Sequence, residues 1–124
     1  MENKILKYEK IYKKINIEVS SLKLVYNIFN DCLKLNRLTG VTPYNMIKKK
    51  YDVYEKRLTK THNNHYEEYE YTYILNLLSY IKKKYECKDI CVRIELKKFF
   101  EINIDKKEDK MNMVFERFEY YFFY

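Results

Sequence analysis

Four residues carry side chains that bind zinc: His62 and His65, three positions apart, and Cys87 and Cys91, four apart. Zinc takes thiolate and imidazole ligands in one compact tetrahedral set. A long amphipathic segment separates the two pairs, and a straight helix of about twenty residues holds its ends about 30 Å apart. The spacing therefore predicts two surface histidines and two unrelated cysteines, and no cofactor is expected. Glu67, Glu68 and Glu70 could form an acidic patch, but no histidine or aspartate arrangement beside them completes a centre for metal-assisted hydrolysis. The sequence contains no phosphate loop, nucleophile elbow or HExxH, and CKDIC has one residue too many for a redox pair. The expectation is a protein without catalytic activity.

Binding chemistry has a broader basis. Between Thr42 and Thr61, Tyr44, Ile47, Tyr51, Tyr54 and Leu58 form one stripe, and Lys48, Lys49, Lys50, Lys56, Arg57 and Lys60 crowd the remaining circumference of the helix. Thr42 can cap this helix and Pro43 supplies the backbone angle favoured at its first position. The stretch LNRLTGVTPYNMIKKKY resembles the turn and second helix of a helix-turn-helix motif. That resemblance implies Tyr44, Asn45, Lys48 and Lys49 nearest a major groove, and Lys50, Lys56 and Arg57 on phosphates. A helical hairpin with a proline start explains the same residues. Among the 15 tyrosines, Tyr51, Tyr54, Tyr80 and Tyr85 fall on apolar stripes, whereas Tyr66, Tyr69 and Tyr73 are candidates for an exposed stacking platform.

The elements that position these groups follow from periodicity. Tyr8, Ile11, Tyr12 and Ile15 share one side of a helix from Lys4 to about Ile15, with Lys7, Lys10 and Lys14 mostly on the other. Asn16–Ser20 reads as a connection or a short strand. Leu22, Val25, Phe29, Cys32 and Leu33 then mark a central helix to Leu38, ended by Gly40, with Cys32 a buried core residue. After the bend THNN, Asn64 and Glu67 have capping-box spacing, and Ile74, Leu75, Leu78, Ile81 and Tyr85 line a further helix. From Ile90 the period changes to two: Ile90, Val92, Ile94 and Leu96 alternate with polar residues, and the parity resumes at Phe100, Ile102 and Ile104. The charged run DKKEDK, residues 105–110, reads as a turn, and MNMVFERFEYYFFY as the returning strand. This register sets Ile104 opposite Met111, Ile102 opposite Met113 and Phe100 opposite Phe115. The fold class predicted is α+β: three or four amphipathic helices packed with a C-terminal antiparallel β-ribbon, in one domain over residues 1–124.

Composition sets the outer bounds. At 124 residues one core is expected, and the 47% apolar content is ordinary for a globular chain. A single glycine and a single proline argue against long linkers. No stretch approaches the eighteen or so apolar residues of a membrane span, and the lysine-rich start lacks a signal-peptide core. Three cysteines are too few for a disulfide framework, so a cytoplasmic location is expected, or a host-intracellular one for a viral protein. Lys, Asn, Ile, Tyr and Phe fill 66 of the 124 positions, a bias that fits an AT-rich genome. The net charge of +7 is uneven: residues 1–62 carry +8 and residues 63–124 carry −1. Such a surface suits phosphate backbones or an acidic protein. The expected function is a small accessory protein that binds another macromolecule through a protein–protein interface, as an inhibitor or adaptor of a virus or mobile element. The alternative is a nucleic-acid-binding regulator using helix 43–60. The aromatic C-terminus, from Phe118 to Tyr124, is expected to pack in the domain or to join two copies through the ribbon.

Overall fold

The computed structural model describes residues 2–61, 64–87 and 91–123. They form four α-helices: α1 (Glu2–Thr39), α2 (Pro43–Lys60), α3 (His65–Glu86) and α4 (Val92–Phe123). The expected ribbon is absent, and among the described residues there is no strand. The protein is an all-α four-helix bundle rather than an α+β fold.

Two sequence segments merge in α1. Ile15, Val19, Leu22, Val25, Phe29 and Cys32, all buried, recur every three or four residues and carry the apolar stripe straight through the expected connection at residues 16–20. The turn after α1 forms as the sequence indicates. Gly40 has φ +73°, its amide donates to the Asn36 carbonyl, and the Asn36 side chain donates to the carbonyl of Val41. Thr42 caps α2 by accepting from the Asn45 amide at 3.4 Å, with Pro43 at the first turn. Asn64 caps α3 by accepting from the Glu67 amide at 3.2 Å.

The ribbon is replaced by α4. Val92, Leu96 and Phe100 are buried at intervals of four, one helical face, whereas Ile94 and Ile102 are 57% and 51% exposed. The charged run 105–110 lies within the helix, so the three cross-strand pairs do not exist. Ile90, where the strand was expected to start, lies outside the described residues.

Packing between side chains fixes the topology. Tyr26 stacks on Phe100 at 5.5 Å, Lys23 pairs with Glu108 and Tyr12 meets Phe115, so α1 and α4 run antiparallel. Tyr69 reaches Glu18 and Tyr85 lies 6.5 Å from Phe29, so α1 and α3 run parallel. Successive helices therefore alternate in direction. α1 and α3 touch each other across the middle, α2 lies on one side of that pair and α4 on the other, and α2 does not touch α4. The core is the α1–α3 seam: Leu22, Val25, Phe29, Ile74, Leu78 and Ile81, closed by Ile47 and Tyr54 of α2 and by Leu96 and Phe100 of α4.

The helices are unequal, at 38, 18, 22 and 32 residues. α3 starts beside Lys13 and Lys14 of α1. From there toward its N-terminus α1 packs on α4 and faces the start of α3 only across an open groove, and the α1–α4 pair forms a two-helix arm about 13 Å long, at 1.5 Å per residue. The arm comprises residues 6–14 of α1 and residues 112–120 of α4.

Candidate functional site

The sequence points to the basic face of α2. Asn45, Lys48, Lys49, Lys50, Lys56, Arg57 and Lys60 are all exposed, but they are spread around the helix rather than gathered. Helical spacing sets Asn45, Lys49, Lys56 and Lys60 outward, with Lys48 on one flank and Lys50 and Arg57 on the other. The Lys50 flank meets α1, where Lys50, Lys49 and Met46 line a shallow groove with Ile28, Asp31, Cys32 and Leu35. The Arg57 guanidinium lies 4.9 Å from the centre of its own helix's Tyr54 ring. Tyr44, a groove-reading residue on the helix-turn-helix resemblance, donates its hydroxyl to Glu86 at the end of α3. The motif-like stretch is thus the α1–α2 corner of the bundle, and the basic residues of α2 lie on its outward side and flanks, with Lys49 and Lys50 at the groove shared with α1.

Tyr66 and Tyr69 lie elsewhere, at the start of α3, and there the chain makes a concave basic site. Lys7, Lys10, Ile11 and Lys14 of α1 face His65, Tyr66 and Tyr69 across a groove of about 660 Å³. The Lys13 ammonium sits 5.3 Å from the Tyr66 ring centre and that of Lys14 5.6 Å from the Tyr69 ring, close enough for cation–π attraction. Tyr66 is exposed as expected, but Tyr69 is half-buried. Its hydroxyl donates to the Glu18 carboxylate, which also pairs with Lys107 of α4, so one node ties three helices together. Burial by itself would raise the Glu18 carboxyl, but the hydrogen bonds from Lys107 and Tyr69 and the charges of Lys107 and Lys110 outweigh it and hold it below its ordinary value. Burial, with the hydrogen bond to Glu18, pushes the Tyr69 phenol well above its own.

The other flank of the arm is apolar. Tyr8 and Tyr12 of α1 and Val114, Phe115 and Phe118 of α4 line a groove of about 380 Å³, bordered by Glu9 and Lys13. Tyr12, Phe115, Leu6, Met113 and Tyr120 are exposed there or nearby. The charged residues that border this groove are Glu9 and Lys13, both on α1 and opposite in sign. Side chains of residues 121–124, counted at sequence level among the sticky aromatics, lie outside the described ones.

The zinc set is not assembled by what is described. His65 opens α3, Cys87 closes it and Cys91 precedes α4, while His62 lies outside the described residues. Among the described residues no group of three or more His, Cys, Asp or Glu side chains could hold a metal ion. Cys87 and Cys91 are exposed and Cys32 is buried. Among the described residues no helix is long and apolar enough to cross a membrane.

Sequence reasoning finds Tyr66 and Tyr69 but misses Lys7, Lys10 and Lys14 as their partners. Those lysines read as the solvated side of a short helix. Only the parallel packing of α1 on α3, a long-range arrangement with no local signature, brings the two sets together. No family model, no curated protein and no solved structure matches this chain.

Proposed function

We propose that this protein is a small non-enzymatic accessory protein, an inhibitor or adaptor, that works by binding another protein along the α1–α4 arm. The observation that carries this reading is the aromatic groove of Tyr8, Tyr12, Val114, Phe115 and Phe118, on a part of the bundle that has two helices where the rest has more. Two antiparallel helices leave a trough between them that a third amphipathic helix fills, and aromatic anchors in such troughs dominate binding energy. The charges select the occupant. Glu9 and Lys13 on the α1 border of the groove suit a partner helix whose apolar stripe is flanked by charges of both signs.

The test uses the full chain with a photo-crosslinker at position 115, or at Val53 on the exposed side of α2 as a control, in its native host. The expected outcome is one protein cross-linked from position 115 and not from position 53. A peptide spanning its contact segment then binds the purified chain, gains helicity on binding, and loses affinity with Phe115→Asp. Binding that disappears instead with Lys48, Lys49 and Lys50 replaced by Gln would overturn the arm as the site. If the cross-linked species is a second copy of this chain, confirmed by light scattering, the partner reading fails and the arm is a dimer interface.

A further inference from the structure

The geometry points to a second binding site, for single-stranded nucleic acid, in the groove between the N-terminal part of α1 and the start of α3. Three observations converge there. First, Lys7, Lys10 and Lys14 line one wall, spaced along roughly 10 Å of helix at 1.5 Å per residue, long enough to meet successive phosphates. Second, these charges are not neutralised internally: among the described residues no ion pair engages Lys7, Lys10, Lys13 or Lys14, whereas Lys23, Lys84 and Lys107 are paired. Glu18, the carboxylate behind Tyr69, is already occupied by Lys107 and by the Tyr69 hydroxyl. Third, the opposite wall offers the rings of Tyr66 and Tyr69, with His65 beside them.

Lysine and tyrosine facing each other across a groove match a strand that presents phosphates on one side and base faces on the other. A duplex hides its base faces in the stack, so the rings would contribute nothing to binding it, and the concave groove fits one strand. The Lys13 and Lys14 ammonium groups lie over the Tyr66 and Tyr69 rings, so a base that meets Tyr66 and its phosphate would lie within one nucleotide of a cation. The positive end of the α3 dipole, at His65 and Tyr66, has the sign an anion requires. Glu67 lies around α3 from the two tyrosines, and Glu68 stands at the groove's edge. This site is separate from α2 and from the aromatic flank of the arm.

The experiment is fluorescence anisotropy of a labelled ten-nucleotide deoxythymidine strand against the purified chain at several salt concentrations. Unlabelled single strand, duplex of equal length and phosphatidylserine-containing vesicles serve as competitors. Binding should weaken with salt. Each phosphate that a lysine neutralises on a single strand contributes ~0.7 to the slope of log affinity against log salt, so replacing Lys7, Lys10 and Lys14 by Gln should make that plot shallower by about 2. Tyr66→Ala should weaken binding roughly ten-fold. Gln at Lys48, Lys49 and Lys50, and Phe115→Asp, should each leave it within about two-fold. All the substituted side chains are exposed, and circular dichroism checks the fold of each variant. The site is overturned if the folded protein binds no strand, if the Lys7, Lys10 and Lys14 variant binds as the unmodified chain does, or if the α2 variant is weakened as much. Displacement by duplex or vesicles at lower concentration than by single strand overturns the ligand class.

Discussion

Glu18 shows how much a single side chain can carry in a bundle whose surface is mostly lysine. It is the meeting point of α1, α3 and α4 through Tyr69 and Lys107, and these partners keep its carboxyl below the ordinary value. A carboxylate whose pKa is depressed by folding contributes stability that is fully present above its unfolded value and is lost as pH falls through its folded value. Thermal melts should therefore be level with respect to this group at neutral pH and lose stability as pH falls through and below the usual carboxylate range. Glu18→Gln should flatten that part of the profile. Tyr69→Phe should cost about 1–2 kcal/mol at pH 7, because it removes a hydrogen bond to a charged acceptor. The cysteines test burial at the same scale. Cys32 lies in the core, and burial pushes its thiol up, whereas Cys87 and Cys91 are exposed. Two thiols should react promptly with a soluble disulfide reagent and the third only on unfolding. Cys32 is legible as core because it sits on a regular stripe. The structural role of Tyr69 is not legible, because its acceptor lies 51 positions away in the sequence.

At the scale of elements, the local punctuation is readable and the long helices are not. Gly40, Thr42, Pro43 and Asn64 each act through chemistry confined to three or four neighbouring residues, and each does what its type implies. The C-terminal third misleads because Ile90, Val92, Ile94 and Leu96, then Phe100, Ile102 and Ile104, satisfy a period of two, whereas Val92, Leu96, Phe100 and Ile104 also satisfy a spacing of four. Val92, Leu96 and Phe100 are the buried members, and the stripe continues through Ile104, Met111, Val114 and Phe118 at helical spacing, which a strand cannot use. Extending the window past the charged run at 105–110 separates the two readings. In α1 the β-branched Ile15, Ile17 and Val19, with Asn16 and Ser20, have modest helix propensity, and packing of Ile15 and Val19 overrides it. These assignments predict a sharp contrast. Leu96→Ala should cost about 2–5 kcal/mol, the range for emptying a filled core position, whereas Ile102→Ala should stay within about 0.5 kcal/mol. A ribbon with both side chains on one buried face would make the two costs alike. Urea unfolding of both variants reads the difference.

For the whole molecule, the governing fact is that the number of layers changes along its length. The central part of α1 is packed on α2, α3 and α4, while its N-terminal part packs on α4 and meets the start of α3 only through Lys13, Lys14 and the open groove beside them. Opening free energies within a protein range from near zero at thinly packed ends to the global value in the core. Amides of residues 6–12 and 113–120 should therefore exchange hydrogen through local fraying, well before those of residues 22–32 and 74–81, where Leu22, Val25, Phe29, Ile74, Leu78 and Ile81 are sealed. The exposed Leu6, Met113 and Phe115 make this more than a fraying terminus, since anything that covers them adds a third layer and raises the local opening free energy. Exchange measured at two protein concentrations reads out the cover. Protection of the arm that is low and independent of concentration describes a monomer holding an open arm for a different partner. Protection that rises with concentration, while the core stays unchanged, means a second copy supplies the missing layer, because association adds RT ln(1 + [L]/Kd) only to the segment it touches.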